Sequence, residues 1–454
     1  MPDILIVILA VIFVLGIAIN IHEFGHFIVA KWFGMRIEAY SFFGLGPRIW
    51  GFKVGHTDYR ISAIPLGAYV KLYGDDVTAP LEGGSSDEER VPDSELYELR
   101  PRWQKFLVML GGPFMNIMLA LAIPFFGALL YGVPSMPAPI VGIVNAGGAA
   151  ETAGIKAGDR IIEINGIENP TWEKVRDEAL ISPDTPLPMT VDRGGQKIAL
   201  VVTPAKTNMD GNSVGDIGML PDVGVEPVEV GTISPGSPAA ESGLQPGDRV
   251  IAFNGQTVRN SQELSNQIRA NKDAPARLTI ERNGQRNDVT TAARIDDDGI
   301  YRIGIGFSAV SITTRVPVGF SGAASFAVET NLRILRLTGR VFGQLFSGER
   351  SVKDAGLAGP VGIVQIISKV VTDFGFAGLF SILAVISLNL GIFNLLPIPL
   401  LDGGQIMMLG IEKVMSWFGK TLSVAIREKI QMAGLAVILL LMVFTLFLDI
   451  SRFF

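Results

Sequence analysis

The 454-residue sequence contains no cysteine, only three histidines, and 18% charged residues. Without cysteine, disulfides and thiolate metal sites are excluded, so any metal ion must be held by histidine and carboxylate side chains. The net charge is −6. Because the chain also lacks long basic runs, it has no basic stretch of the kind that binds the phosphates of nucleic acid, and no nucleic-acid partner is expected.

Hydrophobic residues make up 48% of the sequence, and they concentrate towards its two ends. Four stretches suffice to cross a ~30 Å hydrocarbon core with ~20 residues each: 4–30, 106–131, 374–396 and 432–448. Residues 323–345, with three arginines, predict an amphipathic helix along the membrane surface. A cleaved signal peptide is disfavoured for the first stretch, which is too long and lacks a basic leader.

Basic residues between the first two stretches, and again between the last two, predict that both loops face the cytoplasm. Both chain termini and the central block, residues 137–307, are then extracytoplasmic. That block repeats itself: Gly158-Asp159-Arg160 recurs as Gly247-Asp248-Arg249, at an offset of 247 − 158 = 89 residues. Each copy resembles a bacterial PDZ domain. Asp159 and Asp248 are predicted to cap turns, and residues 214–218 and 302–307 are candidate peptide-binding segments.

Residues 36–71 alternate in the manner of strands interrupted by glycines, which predicts β-hairpins close to the inner membrane face. One histidine, His56, lies in a Gly-flanked polar cluster of this region and is interpreted as a hairpin tip.

The other two histidines form an H-E-x-x-H motif, His22-Glu23-Phe24-Gly25-His26, near the end of the first stretch. On a helix, positions i and i+4 share one face, so both imidazoles can reach one metal ion, with Glu23 beside it as general base. At ~1.5 Å per residue, His22 lies ~27 Å along the helix, just inside the cytoplasmic edge of the core. Ionisable groups at that depth mark a functional site.

A catalytic zinc site needs three protein ligands and one open position. The best remaining donor is Asp402, after the third stretch. Pro397 and Pro399 are expected to end that helix, and Gly403 and Gly404 to permit a tight turn that aims the carboxylate. An isolated Asp-Gly-Gly would instead be interpreted as a turn cap.

The alternating direction of the predicted spans decides between these two interpretations. The end of the first span, the start of the second and the end of the third all meet at the cytoplasmic side. The positions expected to share roughly one membrane depth are therefore His22, His26, Gly111-Gly112-Pro113, Asn116, Asn394 and Asp402.

These motifs together resemble the site-2 protease family of intramembrane metalloproteases, in its bacterial regulated-proteolysis branch. The resemblance covers nearly the whole chain and includes residues 65–71, 112–116, 359–363 and 394–404. It implies one zinc ion per chain, held by His22, His26 and Asp402, with Glu23 as catalytic base and acid. It further implies that Asn394 binds substrate or polarises its carbonyl, and that a β-region guides substrate by strand pairing. The predicted substrate-binding set is Asn394, Gly44, Gly46 and Asn116.

The predicted fold is a polytopic α-helical membrane protein with four transmembrane helices, a membrane-associated β-region on the cytoplasmic side and two extracytoplasmic PDZ domains of α+β class. Its predicted segments are the first helix with the motif (1–33), the β-region (34–104), the second helix (105–134), the two PDZ domains (135–222 and 223–309), a linker with the amphipathic segment (310–372), the third helix (373–404), a cytoplasmic loop (405–430) and the fourth helix (431–454).

By resemblance, the protein is expected in the bacterial inner membrane, with its active site near the cytoplasmic side. Expected partners are single-span membrane proteins such as an anti-sigma factor, remnant signal peptides, peptide C-termini at the PDZ domains, and the lipid bilayer. Two rival interpretations are a membrane-anchored PDZ adaptor with a non-catalytic metal site, which leaves Glu23 unexplained, and a metal transporter. A transporter would show repeated membrane halves, and none is visible in the sequence.

Overall fold

A computed structural model describes residues 4–64, 67–74, 91–135, 137–209, 212–222, 224, 228–296, 299–307, 314–352, 358–420 and 422–451. The first two residues of the predicted 65–71 motif lie outside these ranges. The chain divides into two compact units, one comprising Met1–Val133, Pro317–Gly339 and Leu357–Phe454, the other Pro134–Val316 and Arg340–Gly356.

The helices that the structure describes are α1 (Ile4–Trp32), α2 (Arg102–Tyr131), α3 (Ala149–Thr152), α4 (Trp172–Leu180), α5 (Pro238–Glu241), α6 (Ser261–Asn271), α7 (Phe320–Ser347), α8 (Pro360–Asn394), α9 (Asp402–Trp417) and α10 (Val424–Ser451).

The described strands of the first unit are β1 (Ile37–Ser41), β2 (Leu45–Val54), β3 (Thr57–Ile64) and β4 (Tyr69–Leu72). The strands that follow are β5 (Val133–Ser135), β6 (Val141–Val144), β7 (Arg160–Ile164), β8 (Ile167–Glu168), β9 (Leu187–Arg193), β10 (Gln196–Val202), β11 (Ala205–Met209), β12 (Asn212–Asp216), β13 (Met219–Pro221), β14 (Val228–Ile233), β15 (Arg249–Phe253), β16 (Gln256–Thr257), β17 (Ala276–Arg282), β18 (Gln285–Thr291), β19 (Arg294–Ile295), β20 (Tyr301–Arg302), β21 (Ile305–Phe307) and β22 (Thr314–Val316).

Within the described residues, four helices are long and apolar enough to cross a membrane: α1, α2, α8 and α10 from Ile426 onwards. This matches the number of predicted spans, but two predicted boundaries need correction. Helix α8 begins at Pro360, inside the predicted linker, and Gly375 interrupts it with φ 62° and ψ −158°. The predicted loop 405–430 contains most of α9. The prediction followed uninterrupted apolar runs, so it missed helical turns in which polar residues such as Gln365 and Lys369 break the run.

The membrane helices meet where their side chains are smallest. A Cβ added at Gly25 of α1 would lie 2.1 Å from the carbonyl oxygen of Gly111 in α2, and one at Gly391 of α8 would lie 2.9 Å from the Pro113 oxygen, also in α2. Apolar lipid provides little hydrophobic drive for helix association, so close backbone approach at small residues is the usual packing solution. Helix α2 is thereby held between α1 and α8.

The predicted β-region forms a four-stranded sheet in the order β2-β3-β1-β4. Strand β1 runs parallel to β3, and the other neighbours are antiparallel. The sheet packs on α1, where the rings of Phe27 and Tyr40 stack with centroids 4.9 Å apart. His56 occupies the turn between β2 and β3, as predicted. On β2, Ile49 and Trp50 are 68% and 62% exposed, which suits contact with lipid.

Helix α7 covers the predicted amphipathic stretch 323–345, and its position along the membrane surface stays a prediction. It also compensates for a proline in α2. Pro124 lacks an N–H, so the carbonyl of Ala120, four residues earlier, loses its helical partner. The side-chain amide of Asn331, 5% exposed on α7, donates to that carbonyl at 3.0 Å. The first unit thus satisfies a freed backbone group inside an apolar setting, which lipid could not do.

The second unit contains the duplicated sequence as two similar folds. The first repeat has a sheet in the order β10-β9-β7-β8, and the second has β18-β17-β15-β14-β21 with β16 beside β15. Each repeat encloses its own apolar core. Equivalent backbone contacts also recur: Asn145 N–H donates to the Gly218 oxygen, and Ser234 N–H donates to the Gly304 oxygen, both at 2.9 Å.

Asp159 and Asp248 have the structural role that was predicted for them. In the second repeat, Arg282 donates to both oxygens of Asp248, at 2.6 and 2.7 Å, and the Gln245 amide donates at 2.8 Å. Burial raises the pKa of Asp248, but these hydrogen bonds outweigh burial and hold the pKa below its usual range. Asp159 and Arg193 form the same pair in the first repeat.

Replacing Asp248 with Asn is expected to speed hydrogen exchange of β15 and β17 roughly tenfold at pH 7, because charge-assisted hydrogen bonds are lost. The folded pKa is depressed, so the wild-type contribution is present at neutral pH and is lost as pH falls below about 4. The difference between wild type and Asp248→Asn should therefore shrink in acid.

Hydrogen exchange of the full-length protein, read by mass spectrometry, measures this effect. Asp273→Asn, at an exposed position of the same repeat, serves as the control. Equal protection of β15 in wild type and Asp248→Asn at pH 7 would contradict the assignment.

Candidate metal centre

His22 and His26 lie one turn apart near the end of α1 and are 6% and 9% exposed. Their Nε2 atoms are 3.2 Å apart. Nδ1 of His26 is 2.7 Å from the Val108 carbonyl oxygen of α2. Because a carbonyl can only accept, Nδ1 carries the proton and the lone pair of Nε2 is free to bind a metal.

Asp402, the first residue of α9, completes the cluster. Its Oδ2 lies 3.0 Å from Nε2 of His22, and its Oδ1 lies 3.4 Å from Nε2 of His26. Although Oδ2 is close to His22, it is buried and makes no hydrogen bond. The structure therefore brings together the three side chains that were predicted as ligands.

The turn that places Asp402 differs in detail from the prediction. The positive φ belongs to Leu400, at 84°, whereas Gly403 and Gly404 lie in the first turn of α9. An added Cβ would lie 2.2 Å from the Leu395 oxygen at Gly403 and 2.1 Å from the Ile398 oxygen at Gly404. These glycines are needed for close backbone approach rather than for a left-handed conformation.

The cluster fits a tetrahedral metal. Ligand atoms ~2.0–2.1 Å from a zinc ion lie about 3.3 Å from one another, close to the separations of 3.0, 3.2 and 3.4 Å found here. The carboxylate oxygen without a hydrogen bond also calls for a cation. Gly112 of α2 leaves the space open, since a Cβ there would lie 2.5 Å from Nε2 of His26. We therefore find that the residues present suit a zinc ion.

Glu23 is the fourth member of the site. The ligand atoms of His22, Glu23 and His26 all lie within 4.8 Å of one another. The backbone amide of Val70, on β4, donates a hydrogen bond to the Glu23 carboxylate. Sequence reasoning missed this contact, because the alternation of residues 69–73 predicts a strand but not which helix its edge faces.

The four predicted substrate-binding residues are placed differently. Asn394, partly buried at the end of α8, has its Nδ2 3.3 Å from Nε2 of His22 and so borders the metal position. Asn116 is fully buried, with Nδ2 3.3 Å from Nδ1 of His22, and it accepts a hydrogen bond from Ser387. Asn116 thus lies behind the imidazole of His22, on the opposite side of the ring from Nε2, and its role in substrate binding stays a prediction.

Gly44 and Gly46 lie in the bend from β1 into β2, with φ of 108° and 84°. The amide of Gly44 donates to the Gly67 oxygen at 2.8 Å, and a Cβ at Gly44 would lie 2.5 Å from the Ser62 oxygen. The backbone conformation accounts for both glycines, and their substrate-binding role stays a prediction.

Helices long and apolar enough to cross a membrane, bearing two imidazoles, a carboxylate and a neighbouring glutamate that converge, are typical of a membrane-embedded metalloprotease. The chain belongs to Peptidase family M50, which matches residues 10–441. It is 32% identical to the Protease RseP of Yersinia pestis, over 98% of both chains. It is 30% identical to the Regulator of sigma-E protease RseP of Escherichia coli, over 96% of this chain and 97% of the other. The protein is thus an intramembrane zinc metalloprotease of the site-2 protease type.

A structural likeness concerns a smaller part of the chain. The PDZ domain of the SdrC-like protein of Listeria innocua aligns with 18% of this chain and 93% of its own length, with 25% identity and a TM-score of 0.17.

Replacing Gly112 with Ala is expected to lower zinc content and to reduce proteolysis at least ~100-fold, because the new methyl group displaces the imidazoles from the metal position. Gly127→Ala, in the same helix, is the matched control, since a Cβ there meets nothing within 4 Å. Zinc analysis of the purified variants and cleavage of a membrane-spanning substrate measure the two effects. Full zinc content and activity in Gly112→Ala would contradict the placement of α2 against the site.

Proposed function

We propose that this protease hydrolyses peptide bonds within the transmembrane segments of single-span membrane proteins, using one zinc ion per chain held by His22, His26 and Asp402. The observation that carries the proposal is the convergence of these ligands and Glu23 at the ends of membrane helices. By analogy with relatives named for the regulation of sigma-E, substrates would include an anti-sigma factor after prior trimming. Remnant signal peptides form a second substrate class.

A zinc ion bound at this site supplies a Lewis acid and lowers the pKa of its water. Glu23 accepts the proton of the attacking water and returns it to the leaving amine nitrogen. The Val70 amide donates to the Glu23 carboxylate, which fixes its orientation. The Val108 carbonyl holds the ring of His26 through Nδ1, in the way that outer groups usually hold metal ligands, and the side-chain amide of Asn116 lies against Nδ1 of His22. Asn394, beside His22, is placed to donate to the substrate carbonyl.

The substrate must lose its helical hydrogen bonds locally before it can be cut. Strand β4 offers a way to hold it extended, because β4 lies at the edge of its sheet and pairs with β1 on one side. Val70 directs its amide away from β1, towards Glu23. That side of β4 therefore borders the site, and we assign strand pairing with substrate to its backbone groups other than the Val70 amide, which Glu23 already accepts.

The distribution of basic residues supports an inner-membrane protein with its site near the cytoplasmic face and the repeats outside. Both repeats are then extracytoplasmic PDZ domains. Their strands β13 and β21 follow Gly218 and Gly304, which both have positive φ, and these strands would bind peptide C-termini by strand addition. A pair of such domains suits a gate that rejects substrates whose outer domain is untrimmed.

Replacing Glu23 with Gln is expected to leave zinc bound and to reduce cleavage of a transmembrane substrate by at least ~100-fold, because the general base is removed while the ligands stay in place. The measurements are zinc content and cleavage by the purified enzyme in detergent or liposomes. Glu329→Gln, at an exposed position on α7, is the control. A fully active Glu23→Gln would contradict the role of Glu23 as general base, and a wild type that binds zinc without cleaving the substrate would favour a binding protein whose metal site has no catalytic role.

Deleting residues 137–307 is expected to permit cleavage of untrimmed substrates that the full-length protein rejects. Cleavage of matched substrates with and without their outer domain measures the change. The same deletion carrying Glu23→Gln controls for other proteases. Rejection that persists after the deletion would count against a gate formed by the repeats.

A further inference from the structure

A carboxylate is buried in the last membrane helix, far along the chain from the metal ligands. Asp449, in the last turn of α10, is 3% exposed. Its Oδ1 accepts a hydrogen bond from the Gly359 amide at 3.0 Å, and its Oδ2 accepts one from the Gly362 amide at 2.9 Å. Asp449 therefore caps the N-terminus of α8.

The glycines of the 359–363 motif, to which no function has been assigned, are shaped by this carboxylate. A Cβ at Gly359 would lie 2.6 Å from Oδ2 of Asp449, and one at Gly362 would lie 2.9 Å from Oδ1. Pro360, at the first position of α8, has no N–H to leave unpaired there. An ionisable group in a membrane helix is costly unless it is compensated, and the free amides and positive end of α8 compensate this one.

A second contact, at Gly434 in the N-terminal half of α10, meets the turn that precedes Asp402. A Cβ at Gly434 would lie 2.4 Å from the carbonyl oxygen of Pro399, three residues before Asp402. Between the contacts at Gly434 and Asp449, α10 has side chains that are largely exposed: Leu440, Val443 and Phe447 are 69%, 63% and 64% exposed. The position of α10 against the turn at Pro399 therefore depends strongly on the contacts at Gly434 and Asp449.

We propose that Asp449 is a positioning residue of the zinc site. By holding the C-terminal end of α10 against α8, it keeps Gly434 against Pro399 and so fixes the turn from which Asp402 projects. Helix α8 ends at Asn394 and α9 begins at Asp402. The hydrogen bonds from Gly359 and Gly362 to Asp449, here called the clasp, therefore close a loop of chain that contains both Asn394 and Asp402. This inference rests on the proposed role of Asp402 as a zinc ligand.

The test compares Asp449→Leu, which removes both acceptors, and the milder Gly362→Ala with wild type and with Asp373→Asn, an exposed carboxylate of α8. We expect zinc affinity, measured by chelator competition on folded protein, to fall roughly tenfold or more, within the range found when groups supporting metal ligands are lost. We expect kcat to fall with it while KM changes little. A role confined to folding would leave zinc affinity of the folded fraction unchanged, and that result would overturn the proposal.

A rescue keeps the test decisive even if Asp449→Leu folds poorly. Because the chain has no cysteine, the pair Gly362→Cys and Asp449→Cys can form a single disulfide in place of the clasp. Oxidation should restore zinc affinity and cleavage relative to the reduced pair, whereas an oxidised pair as weak as the reduced one would contradict the proposal. Asp402→Ala is run in parallel: unchanged zinc affinity in that variant would refute Asp402 as a ligand, a failure separate from that of the clasp.

Discussion

The carboxylate of Asp402 and the imidazoles of His22 and His26 converge on one point, and the rest of the membrane unit is arranged to keep them there. Two imidazole nitrogens 3.2 Å apart, with a carboxylate oxygen 3.0 Å from one of them, form a stable group when a cation lies between them. These groups are buried away from water, and a bound cation compensates for the cost of that burial. The membrane helices must therefore hold these three side chains close enough together to bind one cation.

Glycines make this arrangement possible, because the backbones of neighbouring helices and turns can come into close contact at them. Gly25 and Gly111 bring α1 to α2, which places the Val108 carbonyl at His26. Gly112 opens the space that the imidazoles occupy, while Gly403 and Gly404 seat the first turn of α9 against the preceding turn. The same device recurs at Gly359 and Gly362, where the missing side chains admit Asp449. In lipid, close approach of backbones replaces the hydrophobic packing on which a soluble enzyme relies.

The sequence allowed the ligands and their common depth to be predicted, because spacing on a helix and the alternation of spans are local rules. It also predicted the sheet, the turn at His56 and the duplicated fold. It could not show that β4 directs the Val70 amide at Glu23, that Asn116 lies behind His22, or that Asp449 meets Gly359. Each of these contacts joins segments distant in sequence, and their pairing depends on packing that residue periodicity does not encode. The boundaries of α8 and α9 were missed because polar residues and glycines interrupt the apolar runs there, although the helices continue.

X-ray absorption at the zinc edge, on purified protein in detergent, tests the central claim most directly. The account predicts a first shell of two imidazole nitrogens and carboxylate oxygen at ~2.0–2.2 Å, with the carboxylate contribution lost in Asp402→Ala. A zinc shell without two imidazoles, or one that Asp402→Ala leaves unchanged, would contradict it.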